Sequence, residues 1–192
     1  MSLEFNRRSF LKYSAAAAVA VAGSSLLVGC GEDEYQKTGK IGSTLKLMGT
    51  FRMYDNPAPT FTPDNGNTGT GTFECKLSIK CTTKKVPLYV TNECFELTVT
   101  HNDPNTNRTT ETNSTKRHIT VDPEEYDLKE SEEAKDFKLT ISNVTIADGD
   151  KVELKYWPRI QASSGNSGYT RAFCTWKMTA KKDATTGKIT LV

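Results

Sequence analysis

The 192-residue sequence lacks the motifs that would assign it a reaction. It contains only two histidines, His101 and His118, and neither has carboxylate, thiol or methionine partners at a spacing typical of a metal site. It has no Gly-x-Ser-x-Gly nucleophile elbow, no glycine-rich phosphate loop and no EF-hand calcium loop. The absence of a Cys-x₂-Cys pair argues against zinc. We therefore predict no catalytic residues, no metal and no cofactor.

The sequence also lacks a strong charge of one sign and a long apolar run. The formal net charge is +2. This excess lies near the N-terminus, where three basic residues, Arg7, Arg8 and Lys12, stand against a single acidic one. The remainder is neutral, so we expect no nucleic-acid partner. The apolar segment from Ala15 to Val28 is shorter and less apolar than the roughly 20 residues that a membrane-spanning helix needs.

Two motifs follow one another in the first 30 residues. Asn6-Arg7-Arg8-Ser9-Phe10-Leu11-Lys12 resembles the twin-arginine signal S/T-R-R-x-F-L-K of bacterial and archaeal secretion, with Asn6 where Ser or Thr is usual. Leu27-Val28-Gly29-Cys30 resembles the lipobox L-[ASTV]-[GA]-C of bacterial lipoproteins. The resemblance implies that residues 1–29 are a signal peptide. It also implies that Cys30 receives a diacylglyceryl group and becomes the new N-terminus.

A lipid at Cys30 would place the protein on the extracytoplasmic face of a cell membrane. Two acyl chains hold a protein there stably, whereas one chain does so only marginally. Residues 31–44 are polar and contain several glycines, so we predict that residues 30–44 form a flexible tether. Residues 45–192 are then long enough for a single domain with its own core.

Apolar residues alternate with polar ones in short segments separated by Gly, Pro and Asn clusters, which predicts about eight strands. The segments are Thr44–Tyr54, Phe73–Cys81, Pro87–Thr100, His118–Val121, Phe137–Ile146, Lys151–Trp157, Tyr169–Lys181 and Lys188–Val192. We predict an all-β antiparallel sandwich, with a β-barrel as the alternative. Asp122-Pro123-Glu124-Glu125 has a helix-start pattern, so one short helix is expected over about residues 124–134.

One stretch resembles a known sandwich family. Leu139-Thr140-Ile141-Ser142-Asn143-Val144, followed by Asp148-Gly149-Asp150, is similar to the E strand and E–F corner of immunoglobulin variable-type domains. Val152 and Leu154 stand where that family has Tyr and Cys. The resemblance implies an immunoglobulin-like sandwich, and a fold alone assigns no function. The Asp148-Gly149 pair by itself predicts a hairpin turn.

Besides the lipobox cysteine, the chain has Cys75, Cys81, Cys94 and Cys174. An even number in an exported domain predicts two disulfides. Cys75 and Cys81 lie on one predicted strand, roughly 20 Å apart when extended, whereas a disulfide needs Cα atoms within about 7 Å. Two pairings therefore remain. A turn at Lys84-Lys85 would pair Cys75 with Cys94 and leave Cys81 for Cys174.

The candidate ligand-binding residues are Tyr156, Trp157, Arg159 and Tyr169, which flank a Ser/Gly loop. Aromatic side chains at a sandwich rim can stack on sugars or anchor a protein partner. The alternative is that Tyr156 or Trp157 packs in the core and Arg159 is solvated.

These observations favour a non-catalytic binding or structural module for a protein or surface glycan. A second hypothesis comes from the leader, because twin-arginine export carries folded and often cofactor-loaded proteins. The chain would then be a metal- or cofactor-binding accessory protein of an exported redox system.

Overall fold

Strands account for nearly all the regular structure in the computed structural model. The structure describes residues 35–64, 70–84, 87–102, 110–112, 118–161, 167–169 and 171–192. All of them belong to one structural unit. The signal peptide and lipobox predicted for residues 1–30 lie outside the described residues.

Sixteen strands are described, and they are numbered in chain order. They are β1 (Gln36–Gly39), β2 (Thr44–Lys46), β3 (Gly49–Met53), β4 (Thr60–Pro63), β5 (Gly71–Cys81), β6 (Leu88–Val90), β7 (Phe95–Thr100), β8 (Thr110–Glu111), β9 (His118–Asp122), β10 (Tyr126–Leu128), β11 (Lys135–Val144), β12 (Lys151–Tyr156), β13 (Arg159–Gln161), β14 (Ser167–Tyr169), β15 (Phe173–Lys182) and β16 (Ile189–Leu191).

The strands form two large sheets and one small one. The first sheet has the order β8-β7-β12-β15-β1, and its β1–β15 pair is parallel. The second sheet is centred on β5, with β11 and β9 on one side and β3, β2 and β4 on the other. The second half of β15 pairs with β16, which pairs with β4, so β15 joins the two sheets. The small sheet has the order β10-β6-β13-β14.

The core lies between the inner faces of the two large sheets. The ring of Phe51 on β3 lies 5.1 Å from the ring of Tyr156 on β12, so the second sheet contacts the first directly. Every strand pair in the two sheets except β1–β15 is antiparallel. The predicted antiparallel sandwich is confirmed, and the sheets do not close into the alternative barrel.

The four strands β5, β11, β12 and β15, which were predicted from their period-two alternation, each bury one face, because alternate residues of a strand point to one side. The buried residues on or beside these strands are Phe73, Cys75, Leu77, Ile79, Cys81, Phe137, Leu139, Ile141, Val152, Leu154, Tyr156, Ala172, Cys174, Trp176, Met178 and Ala180.

The segment predicted as one strand from Thr44 to Tyr54 is instead a hairpin of β2 and β3. Leu45 pairs with Phe51, and the chain reverses at residues 47–48, where the Leu47 N–H donates to the Gly49 carbonyl at 3.0 Å. A side chain at Gly49 would collide with the Lys80 carbonyl of the neighbouring strand. Both strands of the hairpin point their odd-numbered residues inward. The apolar alternation therefore continues through the turn, and the sequence pattern cannot distinguish the hairpin from one long strand.

The predicted tether contains a strand. Gln36–Gly39 form β1, which pairs in register with Phe173–Trp176 at the edge of the first sheet. The Phe173 N–H also donates to the Tyr35 carbonyl at 2.9 Å. The four residues of β1 are polar or small and show no apolar alternation, so the sequence does not predict this strand. It is recognised only by its pairing with β15. The residues left for the tether lie between Cys30 and Tyr35.

The predicted helix over residues 124–134 is wrong. Tyr126–Leu128 form β10, which pairs with Leu88–Val90 of the small sheet. Leu128 is fully buried, and the Tyr126 ring lies edge-on to Phe137 at 6.0 Å. Strand pairing, the burial of Leu128 and the packing of Tyr126 on Phe137 therefore override the local helix-start signal.

The predicted strand from Pro87 to Thr100 is divided by a turn of 3₁₀ helix at Asn92–Cys94. Thr91 caps this turn, since its hydroxyl oxygen accepts the Glu93 N–H at 3.1 Å. The turn carries the chain from β6 in the small sheet to β7 in the first sheet. For this reason the buried apolar residues are even-numbered before Cys94, at Leu88 and Val90, and odd-numbered after it, at Phe95, Leu97 and Val99.

The predicted disulfides are not supported. The four cysteines Cys75, Cys81, Cys94 and Cys174 are buried, and no two of them are at disulfide-bonding distance. The Cys75–Cys94 pairing assumed that β5 and β7 form a hairpin, but they lie in different sheets. Cys75 is opposite Leu139 on β11, and Cys174 is opposite Tyr156 on β12.

We expect all four cysteines to resist alkylation in the folded protein. Burial raises the pKa of the Cys75 thiol and of the Cys94 thiol, and only the thiolate reacts. Iodoacetamide should add nothing to these residues in native buffer and should modify all of them in denaturant without reductant. Intact mass spectrometry counts the adducts. A protein that needs reductant before its thiols react would contradict the structure.

Candidate functional site

The predicted ligand cluster is divided between the core and the surface. Tyr156 is fully buried between Phe51 and Phe95, with both ring-centroid distances at 5.1 Å. Its hydroxyl has no hydrogen-bond partner among the described residues. Burial is the main cause that raises the pKa of Tyr156 well above its usual value. Tyr156 therefore belongs to the core and not to a surface that a ligand could reach.

Trp157 lies at the end of the sandwich where β12 finishes and β15 begins. Its ring packs on Phe173 with centroids 4.5 Å apart, and the Lys155 ammonium lies 5.3 Å and 4.9 Å from the two ring centroids. Lys155 also forms an ion pair with Glu96 at 3.1 Å. Trp157 and Phe173 are only partly buried. We call Trp157, Phe173 and Lys155 the Trp157 patch.

Arg159 is held by the small sheet beside this patch. Its guanidinium forms an ion pair with Glu93 at 2.9 Å and lies 5.4 Å from the centroid of the Tyr89 ring. The β6–β13 register causes this contact, because it places Arg159 opposite Tyr89. Arg159 is also opposite Tyr169 in the backbone register, but the side chain of Tyr169 lies outside the description. The structure thus brings Trp157 and Arg159 to one end of the molecule.

A polar cluster centred on Asp150 lies at the opposite end of the sandwich. The Asp150 carboxylate is buried and accepts backbone N–H bonds from Ala147 at 2.7 Å and Asn102 at 3.1 Å. It is also 2.8 Å from His101 Nδ1. The other ring nitrogen of His101 lies 3.6 Å from a Glu111 carboxylate oxygen. We call this region, formed by His101, Asn102 and Asp150, the Asp150 end.

The turn at Asp148-Gly149 builds the Asp150 end. It joins β11 in the second sheet to β12 in the first, so it is a corner between sheets and the predicted hairpin is wrong. Gly149 has a φ of +81°, a left-handed conformation that suits glycine. The Asp148 carboxylate accepts the Lys182 N–H at 2.8 Å, and the Gly149 N–H donates to the Ala180 carbonyl at 2.9 Å. These bonds attach the corner to the end of β15.

A small polar cavity opens at this corner. Its volume is about 140 Å³, and it is lined by Thr100, His101, Asn102, Gly149 and Lys151. The lining offers a ring nitrogen, an amide and an ammonium, which are groups that hydrogen-bond polar ligands. Sequence reasoning found no partner for His101 and placed Asp150 only in the stretch that resembles an immunoglobulin domain. It missed their contact because 49 residues separate them and no local motif links them.

Within the residues that the structure describes, no group of three or more His, Cys, Asp or Glu side chains could hold a metal ion. His118, the other histidine, is exposed on β9 opposite Ser142. The same described residues contain no helix long and apolar enough to cross a membrane.

The N-terminal motif is confirmed by comparison with known proteins. Residues 4–24 match the family model for the twin-arginine translocation pathway signal sequence. This match includes the predicted signal residues Arg7, Arg8, Phe10, Leu11 and Lys12. It indicates export across the cytoplasmic membrane, and it does not extend to Cys30, which also lies outside the described residues.

The folded domain has weaker likenesses. A search of curated proteins gives no match. A candidate lipoprotein of Bacillus subtilis (YcdA) is 14% identical with a TM-score of 0.39; the match covers 76% of this chain and 40% of that protein. An uncharacterized β-sandwich protein of Clostridium difficile is 13% identical with a TM-score of 0.36, covering 78% of this chain and 98% of that one. The chain thus spans less than half of the Bacillus protein, and both TM-scores are too low to support an argument.

We expect Asp150→Ala to destabilise the domain by about 2 to 4 kcal/mol, because it leaves two backbone N–H groups and His101 without their acceptor. Urea unfolding measures the change. The matched control is Asp148→Ala in the same turn, where an exposed carboxylate is lost and about 1 kcal/mol or less is expected. Equal effects of the two substitutions would contradict the central position given to Asp150.

Proposed function

We propose that the protein is an extracytoplasmic lipoprotein whose sandwich is a non-catalytic binding or structural module for a protein or a surface glycan. The twin-arginine signal at residues 4–24 supports export. The Leu27-Val28-Gly29-Cys30 motif supports lipid attachment at Cys30. Two acyl chains at that residue would hold the protein stably on a membrane.

The signal-sequence match followed by the lipobox motif carries this proposal, and the position of β1 determines which end of the domain a lipid at Cys30 would hold. β1 starts at Gln36, only a few residues after Cys30, and is paired with Phe173–Trp176 along its whole length. An extended chain covers at most about 3.6 Å per residue, so the lipid would lie within about 20 Å of Tyr35. A lipid at Cys30 would therefore hold the domain by the end that carries the Trp157 patch.

The Asp150 end is then the surface that faces away from the membrane. β12 runs from Lys151 at this end to Tyr156 at the other, roughly 20 Å away at the usual rise of a strand. Loops at the ends of sandwiches commonly carry ligand-binding residues. We assign partner binding to the Asp150 end because its cavity offers polar groups and its position leaves it accessible.

The hypothesis of a metal- or cofactor-binding accessory protein rests on the twin-arginine leader. It predicts mass that is lost on denaturation. The binding-module proposal predicts that the native and denatured protein have the same mass.

Replacing Cys30 with alanine should release the exported protein from the membrane fraction, because no acyl chain can be attached. Cell fractionation shows the location. Intact mass of the wild-type protein should show a diacylglyceryl group on a chain beginning at Cys30. A membrane fraction unchanged by Cys30→Ala would refute lipid attachment there.

The control for this experiment is the double substitution of Arg7 and Arg8 by lysine. It preserves charge but removes the twin-arginine pair, so an uncleaved precursor should remain in the cytoplasm. This result separates a failure of export from a failure of anchoring. In the same mass measurements, a species that leaves on denaturation would favour the cofactor hypothesis.

A photo-crosslinking amino acid at Asn102 should capture a partner in living cells. Asn102 is exposed beside the cavity of the Asp150 end. The matched control is the same amino acid at Lys177, which is exposed in the middle of the first sheet. We expect one discrete adduct from position 102 and none from position 177, as detected by gel shift. Adducts of equal yield at both positions, or none at 102, would contradict this assignment.

A further inference from the structure

We infer that the Trp157 patch rests on the surface of the bilayer that holds the lipid of Cys30. This inference depends on the proposed lipid attachment and adds a contact made by the folded domain itself. The occupant is the headgroup region of a phospholipid bilayer. The sequence had suggested a protein or glycan for Trp157 and Arg159, and the geometry of the chain favours the membrane.

The first argument is the short distance to the anchor. Tyr35 precedes β1, and its carbonyl accepts the N–H of Phe173, a member of the patch. Only residues 31–34 separate Tyr35 from Cys30. At no more than about 3.6 Å per residue, such a linker cannot hold the patch far from the bilayer surface.

The second argument is the chemistry of the exposed side chains. Tyr35 is 54% exposed, and among the large apolar side chains of the described residues only Val192 is as exposed. Trp157 and Phe173 pack against each other nearby with their rings tilted, and the Lys155 ammonium lies over both rings. Tryptophan and tyrosine are enriched at membrane–water interfaces, where the ring is partly apolar and its polar group stays hydrated. Lysine extends its ammonium toward the headgroups in the same zone.

The third argument concerns charge, and it specifies the kind of lipid. Lys155 is paired with Glu96, and the neighbouring Arg159 is paired with Glu93, so these two cations are largely neutralised, whereas Arg171, two residues before Phe173, is exposed. The linker adds three acids, Glu32, Asp33 and Glu34. Attraction to anionic lipid should therefore be weak, and aromatic contact with the interface should dominate. The contact should form on zwitterionic phosphatidylcholine.

The two tryptophans of the chain make this inference measurable. Trp157 belongs to the patch, whereas Trp176 is 1% exposed in the core. The lipidated protein is reconstituted into phosphatidylcholine vesicles whose acyl chains are brominated near the glycerol backbone, because bromine quenches tryptophan emission on contact. We expect up to about half of the wild-type emission to be lost. Trp157→Phe, which leaves only Trp176, should show no loss.

A matched control places a tryptophan at the other end of the molecule. Val192 is 55% exposed, and its backbone pairs with Thr179, which lies opposite Lys151 near the Asp150 end. Val192→Trp in the Trp157→Phe background should not be quenched. Quenching at both positions would show that the domain has no fixed orientation and would overturn the inference.

The outcomes separate this inference from the proposed function. If Cys30 carries lipid and the protein sediments with vesicles, but Trp157 is not quenched, the domain stands clear of the bilayer and only the inference fails. If intact mass shows an unmodified Cys30 and the protein does not sediment with vesicles, the proposed function fails. Quenching that requires anionic lipid would overturn the assignment to zwitterionic headgroups.

Discussion

The structure depends on one strand that belongs to both sheets. The first half of β15, from Phe173, pairs with β12 on one side and β1 on the other, and its second half pairs with β16. Its inward side chains include Trp176, which is almost fully buried and donates its ring N–H to the Ser43 carbonyl at 3.4 Å. Because both sheets share this strand, β15 closes the core along one side. The pairing register of β15 therefore positions the residues at both ends of the sandwich.

The two ends have different chemistry. At the start of β15, Phe173 packs on Trp157, and the preceding chain leads within a few residues to Cys30. At its end, Lys182 donates its backbone N–H to Asp148, which fixes the corner that presents Asp150. The aromatic patch lies next to the proposed lipid, and the polar cavity lies at the far end. The domain would therefore have a defined orientation relative to the membrane. The proposed division between membrane contact and partner contact follows from that orientation.

The sequence predicted the strands that have a strong apolar alternation. It did not predict the elements whose structure depends on which strands pair. β5, β11, β12 and β15 were predicted correctly because each buries a full face. The hairpin at residues 47–48 keeps the same parity on both arms, so alternation could not reveal it. β1 and β10 have little apolar pattern of their own. The two disulfides were predicted from the even number of cysteines, and the Cys75–Cys94 pairing from a supposed β5–β7 hairpin. The 3₁₀ turn before β7 instead leads the chain into the first sheet, whereas β5 lies in the second.

The candidate site was predictable only in part, for the same reason. By itself the sequence determined the export signal, the all-β class and the main strands, because these depend on local motifs and on period-two burial. Only the tertiary structure decided that Tyr156 packs on Phe51 in the core, that Trp157 packs on Phe173 at one end, and that His101 contacts Asp150 at the other. These contacts join residues far apart in the chain, and the register of paired strands, which no local pattern encodes, brings them together.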